Sequence, residues 1–246
     1  MSAAFNKISR GAGSRITVRQ LLQHTSELPE YTDAIATSIF EVRDEYHSPR
    51  DFLDAALARP AAFQPGEKFA YTNTNYIVLG LLIEKVTKRT LGEQIDQRIV
   101  QPLSLLHTYL PAPGDRTIHG KHPEGYERNP VSGELENITE QDPSWAWAAG
   151  AMISTPSELN IFMQKMLDGT LITADSVAEM QKSIHTETHS DYGLGLIGYS
   201  LSCGTAVTIA VTAIPTAVAK DPTGEESIRA AFEPIKEALD NLLCGS

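Results

Sequence analysis

Tyr71 and Asn73 place a phenol and a carboxamide two residues apart, in the run Phe69-Ala70-Tyr71-Thr72-Asn73-Thr74-Asn75-Tyr76-Ile77. A phenol can shuttle a proton when a neighbouring cation lowers its pKa. A carboxamide can both donate to and accept from a peptide bond. The pair follows a turn signal, Gln64-Pro65-Gly66-Glu67, and leads into an apolar run from Tyr76 to Ile83 that fits a buried helix. Where a loop enters a helix, a side chain can face a cleft while the core holds its backbone. The same residues also describe a helix cap and a core tyrosine, so the motif alone leaves both readings open.

Other candidates for chemistry are few. No serine in the sequence has a lysine three residues on, and no Gly-x-Ser-x-Gly occurs. Ser26, in His24-Thr25-Ser26, stands beside a histidine, but a hydrogen bond at the start of a loop explains it as well. The two cysteines are Cys203 and Cys244. Sequence alone does not pair them, and two buried free thiols are the ordinary outcome. His119-Gly120-Lys121-His122 has no carboxylate or cysteine at a convincing ligand spacing, so no metal and no cofactor are expected.

The elements that must position Tyr71 and Asn73 are mostly helices. Thr17 with Gln20 reads as a capping box that opens a short helix, which His24-Thr25-Ser26-Glu27-Leu28-Pro29 breaks. Ser48-Pro49 starts a second helix with Phe52, Leu53, Ala56 and Leu57 on one face, ended by Pro60. A central helix runs from about Thr74 to Lys88. Thr90 with Glu93 caps a further helix to about Val100. Residues 107–141 read as loops with a small hairpin near Gly125-Tyr126. Ala149 to Ser154 is a short buried segment. Thr155 caps a helix closed by Gly169, and Thr173 caps one that ends near Lys182. Tyr192 to Leu201 is a strand candidate, and Thr205 to Ile214 alternates as a strand should. A last amphipathic helix spans about 224–243. The sum is α+β.

The 246 residues suit one domain or two joined lobes. A formal net charge of -11 argues against nucleic acid and anionic membrane as partners. The longest apolar stretch, Ala206 to Ala219, is too short and too interrupted for a transmembrane span. The first residues have no apolar core of a signal peptide, so the chain as written would be cytoplasmic.

The stretch Tyr71-Thr72-Asn73-Thr74-Asn75-Tyr76 and its apolar continuation resemble the second motif of the penicillin-recognising serine enzymes. Within that group it is most similar to D-alanyl-D-alanine carboxypeptidases and class C β-lactamases. Ile16-Thr17-Val18-Arg19-Gln20-Leu21-Leu22-Gln23-His24-Thr25-Ser26 resembles the segment ahead of that motif. Ser144-Trp145 with Ala148-Ala149-Gly150-Ala151-Met152-Ile153-Ser154 resembles the cleft wall. Tyr192-Gly193-Leu194-Gly195 and Leu201-Ser202-Cys203-Gly204 resemble the approach to the last motif. The resemblance covers roughly residues 15–204.

It implies a β-lactamase/transpeptidase-like fold and acyl transfer through a serine ester. The substrates it implies are a D-Ala-D-Ala peptide of peptidoglycan or a β-lactam. Tyr71 and Asn73 become catalytic residues and Trp145 a substrate-binding wall. Cys203 and Cys244 become a disulfide, which on the chain-entropy estimate stabilises by about 4 kcal/mol for a loop of about 40 residues. A disulfide and the family setting imply secretion.

The family pattern also asks for Ser-x-x-Lys upstream of Ile16 and for His-x-Gly or Lys-Thr-Gly near the last strand. Neither occurs in this sequence. The expected organisation is an irregular segment at 1–15, a helical lobe at about 16–190 and an incomplete α/β remnant at about 191–246. The antiparallel sheet should be short of strands, leaving Thr205–Ile214 without neighbours. Uncovered apolar surface and self-association should follow. The chain as given should be inactive, with any active form depending on further residues. The alternatives are a non-catalytic descendant that binds peptidoglycan or a partner protein, and a non-functional gene fragment.

Overall fold

The computed structural model describes residues 16–35, 38–185, 191–200 and 206–209. The segment at 1–15, Cys203, Cys244 and the helix expected at 224–243 lie outside them. The chain divides into two compact units, one up to Leu171 and one from Ile172.

In the first unit, α1 (Val18–Leu22) opens at the expected capping box. Gln20 N–H donates to Thr17 Oγ1, and Gln20 Oε1 accepts from Thr17 N–H at 2.8 Å. A short α2 (Thr32–Ile35) follows. Then α3 (Pro49–Leu57) starts with Pro at its first turn, capped by Ser48. It buries Phe52, Leu53 and Ala56.

The central α4 (Thr74–Thr87) is apolar almost all round, as a helix sunk in a core should be. It stops at Lys88, whose φ of 59° and ψ of 26° are left-handed. A β-carbon there costs about 1 kcal/mol, and the lysine charge at a helix C-terminus offsets only a few tenths. We expect Lys88→Gly to raise the stability of the first unit by about 0.5–1 kcal/mol in a urea melt, and a lower value would remove the strain argument.

Next come α5 (Leu91–Ile95), a π-helical turn at Asp96–Val100 and α6 (Gln101–Leu103). The chain thus continues helically through Pro102, where the sequence suggested a stop. The π-turn leaves amide partners out of step, so a missing proline N–H is tolerated. β1 (Tyr126–Arg128) and β2 (Leu135–Asn137) form the expected hairpin, antiparallel with Glu127 opposite Glu136. A 3-10 turn at Pro143–Trp145 leads into α7 (Trp147–Gly150) and then α8 (Pro156–Leu167), capped by Thr155.

Leu21, Leu28, Tyr31, Phe52, Ile77, Val78, Leu91 and Trp147 form the core of this unit. Trp147 lies against α4 at Gly80, where a β-carbon would come within 2.8 Å of its ring.

The second unit holds α9 (Ala174–Gln181), capped by Thr173, and a meander of four antiparallel strands. These are β3 (Ile184–His185), β4 (Asp191–Tyr192), β5 (Ile197–Ser200) and β6 (Ala206–Ile209). The strand expected from Tyr192 to Leu201 is therefore broken. Gly193 to Gly195 turns the chain, with Gly195 at φ 73° and Gly193 N–H donating to Leu196 O. The strand read at Thr205–Ile214 does have a neighbour, since β6 pairs with β5 from Ala206 opposite Ser200 to Ile209 opposite Ile197. That corrects the expectation of an unpaired strand.

Candidate active site

The turn before the motif forms as its residues ask. Glu67 N–H donates to Gln64 O at 3.0 Å, with Gly66 at φ 87°. The turn and the run that follows are tied to the chain just after α1. Gly66 N–H donates to Thr25 O at 2.7 Å and Ala70 N–H to His24 O at 2.8 Å.

Tyr71 and Asn73 then stand at the entry to α4. Tyr71 is 40% exposed, and its Oη is 3.4 Å from Asn73 Oδ1, a long contact. Asn73 is half-buried. The sequence reading missed what holds it. Glu30 Oε2 accepts from Asn73 N–H at 2.7 Å and from Asn73 Nδ2 at 3.2 Å. Glu30 Oε1 accepts from Thr32 N–H at 3.1 Å. A carboxylate over the first amides of α4 suits the positive end of the helix. Thr72 Oγ1 adds a cap by accepting from Thr74 N–H.

Behind the motif is a buried polar layer. Thr74 Oγ1 donates to Pro29 O at 2.6 Å and accepts from Tyr31 N–H at 3.0 Å. Asn75 is fully buried. Its Oδ1 accepts from Ser26 Oγ at 2.5 Å, and its Nδ2 is 3.0 Å from His24 Nδ1. Ser26 also accepts from Leu28 N–H and is 1% exposed, so the hydrogen-bonding account of that serine holds.

The electrostatics of the pair run opposite to the sequence argument. Burial pushes the Tyr71 phenol well above its ordinary pKa, and the neighbouring Tyr76 and the Glu30 carboxylate push the same way. The phenol is therefore held neutral, as a hydrogen-bond donor. A cation set beside it would reverse that push.

His24 is buried too, and burial lowers its pKa from 6.5 to about 3. Its unfolded form thus takes up a proton at higher pH than its folded form. Its contribution to stability is complete above about pH 6.5 and is lost as pH falls towards 3. Urea melts from pH 7 to 4 are expected to show falling stability, with a shallower slope in His24→Asn. Identical slopes would refute a neutral buried His24.

Trp145 is half-buried on the turn before α7. Its Nε1 donates to Gln141 Oε1 at 2.7 Å, and its carbonyl accepts from Tyr31 Oη at 2.7 Å. It lines a small open cleft of about 120 Å³, together with Arg116, Gln141, Met152 and Ile153. Tyr71 and Asn73 do not line that cleft. The structure therefore joins Tyr71 to Asn73 and sets Trp145 in a neighbouring wall, linked through Tyr31. Cys203 and Cys244 lie outside the described residues. Among the described residues no group of three potential ligands could hold a metal.

A loop-borne Tyr-x-Asn at the mouth of a buried helix, within a helix-rich α+β framework, is the setting of a β-lactamase/transpeptidase-like fold. The chain belongs to the Beta-lactamase family, whose model matches residues 6–204.

A D-stereospecific amidohydrolase from Streptomyces sp. is 32% identical, with a TM-score of 0.77 over 86% of this chain and 67% of that one. D-amino acid amidase from Ochrobactrum anthropi SV3, in complex with L-phenylalanine amide, shares the fold at 22% identity and a TM-score of 0.68, over 86% of this chain and 61% of its own. Protein flp of Staphylococcus aureus strain N315 is 32% identical over 44% of this chain and 21% of its own length. A putative D-alanyl-D-alanine carboxypeptidase of Salmonella enteritidis is 23% identical over 74% of this chain and 46% of its own. The chain thus spans less than half the length of these two curated relatives.

Proposed function

We propose that this chain carries the Tyr-x-Asn side of a serine-hydrolase site for D-alanyl-D-alanine-type peptides and β-lactams, and that the 246 residues alone perform no turnover. One observation carries the reading. Tyr71 is exposed and Asn73 half-buried at the entry of α4, yet no serine in the sequence has a lysine three residues on.

The geometry supports the following roles. One Asn73 Nδ2 proton goes to Glu30, which leaves the other for a substrate carbonyl, while Oδ1 can accept a substrate N–H. Tyr71 is a proton donor to a leaving amine. It needs a cation beside it before it can take that proton back from a nucleophile. Similarity to a D-stereospecific amidohydrolase and a putative D-alanyl-D-alanine carboxypeptidase supports a D-configured amide as the bond class. An exported setting and a Cys203–Cys244 bridge belong to the same proposal.

The test is incubation of the purified chain with a fluorescent penicillin, read by denaturing gel and intact mass. No covalent adduct is expected. An adduct would show a nucleophile in this chain and overturn the reading.

A further inference from the structure

His24 is invisible as a functional residue in the sequence, yet its ring meets Phe69, Tyr71, Thr72, Asn75 and Tyr76. It has no solvent exposure and a left-handed φ of 54°. Its imidazole stacks on the Tyr71 ring, with centroids 4.2 Å apart and planes 24° apart. Phe69 meets it edge-on, and Tyr76 lies at a tilt. Its Nδ1 is 3.1 Å from Thr72 N and 3.0 Å from Asn75 Nδ2.

The Thr72 amide can only donate. His24 Nδ1 is therefore the acceptor, and the neutral ring carries its proton on Nε2. A second proton on Nδ1 would face two donors. Thr72 is the residue between Tyr71 and Asn73, so this lone pair joins the Glu30 carboxylate in holding the backbone that carries both side chains. The ring face sets the plane of the phenol at the same time.

We propose that His24 is the positioning residue of the Tyr71–Asn73 pair, acting as a neutral imidazole that pins the Thr72 amide through Nδ1 and carries the Tyr71 ring on its face. That these two side chains meet substrate rests on the function proposed above. The geometric claim does not depend on it.

The test separates two jobs that a mere space-filling role would not separate. Asparagine places an acceptor where Nδ1 was and tolerates positive φ, but has no ring face. Phenylalanine restores the face without the acceptor. The full chain is labelled with 3-fluorotyrosine, and the Tyr71 fluorine resonance is assigned through Tyr71→Phe. Hydrogen exchange of the Thr72 amide is read alongside.

In His24→Asn, Thr72 should stay protected while the Tyr71 resonance moves. In His24→Phe, the Thr72 amide should exchange about tenfold or more faster, the loss expected for one hydrogen bond, while the Tyr71 resonance stays near its place. If phenylalanine restores both signals and asparagine neither, His24 only fills space and the proposal falls. Should a variant not fold, the ring nitrogens of the unaltered chain decide. A proton on Nε2 with no titration between pH 8 and 4 supports the proposal. A proton on Nδ1, or titration near pH 6.5, overturns it. These signals stand whether or not the penicillin assay yields an adduct, so the two failures are distinguishable.

Discussion

Asn75→Ala is expected to destabilise the first unit by about 3–4 kcal/mol, far more than the same change two residues earlier. The two asparagines look alike in Thr72-Asn73-Thr74-Asn75, but their surroundings differ. Asn75 is fully buried, and removing its amide leaves the Ser26 hydroxyl without its 2.5 Å acceptor. It also takes one of the two donors from His24 Nδ1. Buried groups stripped of partners cost about 1–3 kcal/mol each. Asn73 is half-buried, and its Nδ2 bond to Glu30 is a longer 3.2 Å, so Asn73→Ala should cost about 1 kcal/mol or less. Urea unfolding of both variants decides the assignment. Equal losses would mean that the structural and the substrate-facing asparagine have been told apart wrongly.

Gly80→Ala is expected to lower stability by about 2 kcal/mol, although helix propensity alone predicts a gain of about 1 kcal/mol. Gly80 is in the middle of α4, where alanine is the better helix former. The new β-carbon would come within 2.8 Å of the Trp147 ring and of the Ala148 β-carbon. The tryptophan tip could swing a little. Ala148 could not, because it is fixed to the short α7, whose first residue already has a φ of 32°. The helices would have to separate across a core in which Trp147 is 8% exposed. A fall in melting temperature of about 5 °C is the expected result for a unit of this size. A rise would show that α7 yields easily and that the close approach is not a constraint.

What the sequence revealed and what it hid divide along a physical line. Thr17 with Gln20, Ser48 with Pro49, and Thr90 with Glu93 act within one helical turn, so their residue types alone announced the helix starts. The limits of α4 were readable for the same reason. Tyr71 and Asn73 were legible because they neighbour that boundary. Their partners were not. Glu30 is 43 residues from Asn73, and His24 is 48 from Thr72. No periodicity encodes such meetings.

Left-handed φ at Glu27 and Trp147 was equally hidden, since neither is a residue type that advertises it. The break at Gly193 to Gly195 was missed because strand alternation outweighed two glycines. A residue type can show that a phenol is available. It cannot show that burial, with Tyr76 and a carboxylate rather than a cation alongside, raises that phenol's pKa.

The long sequence separation of those contacts has a consequence in time. Each tie across the corner, from Glu30, His24 and Ser26 to residues 72–75, closes a loop of 43 to 51 residues. Helix turns form without that entropic cost, whereas these ties must await an assembled α3 and α4. The corner is therefore expected to close last, as a latch on a helix pair already in place. Weakening it quickens opening more than it slows formation, and the unfolding arm of a chevron is where the loss appears.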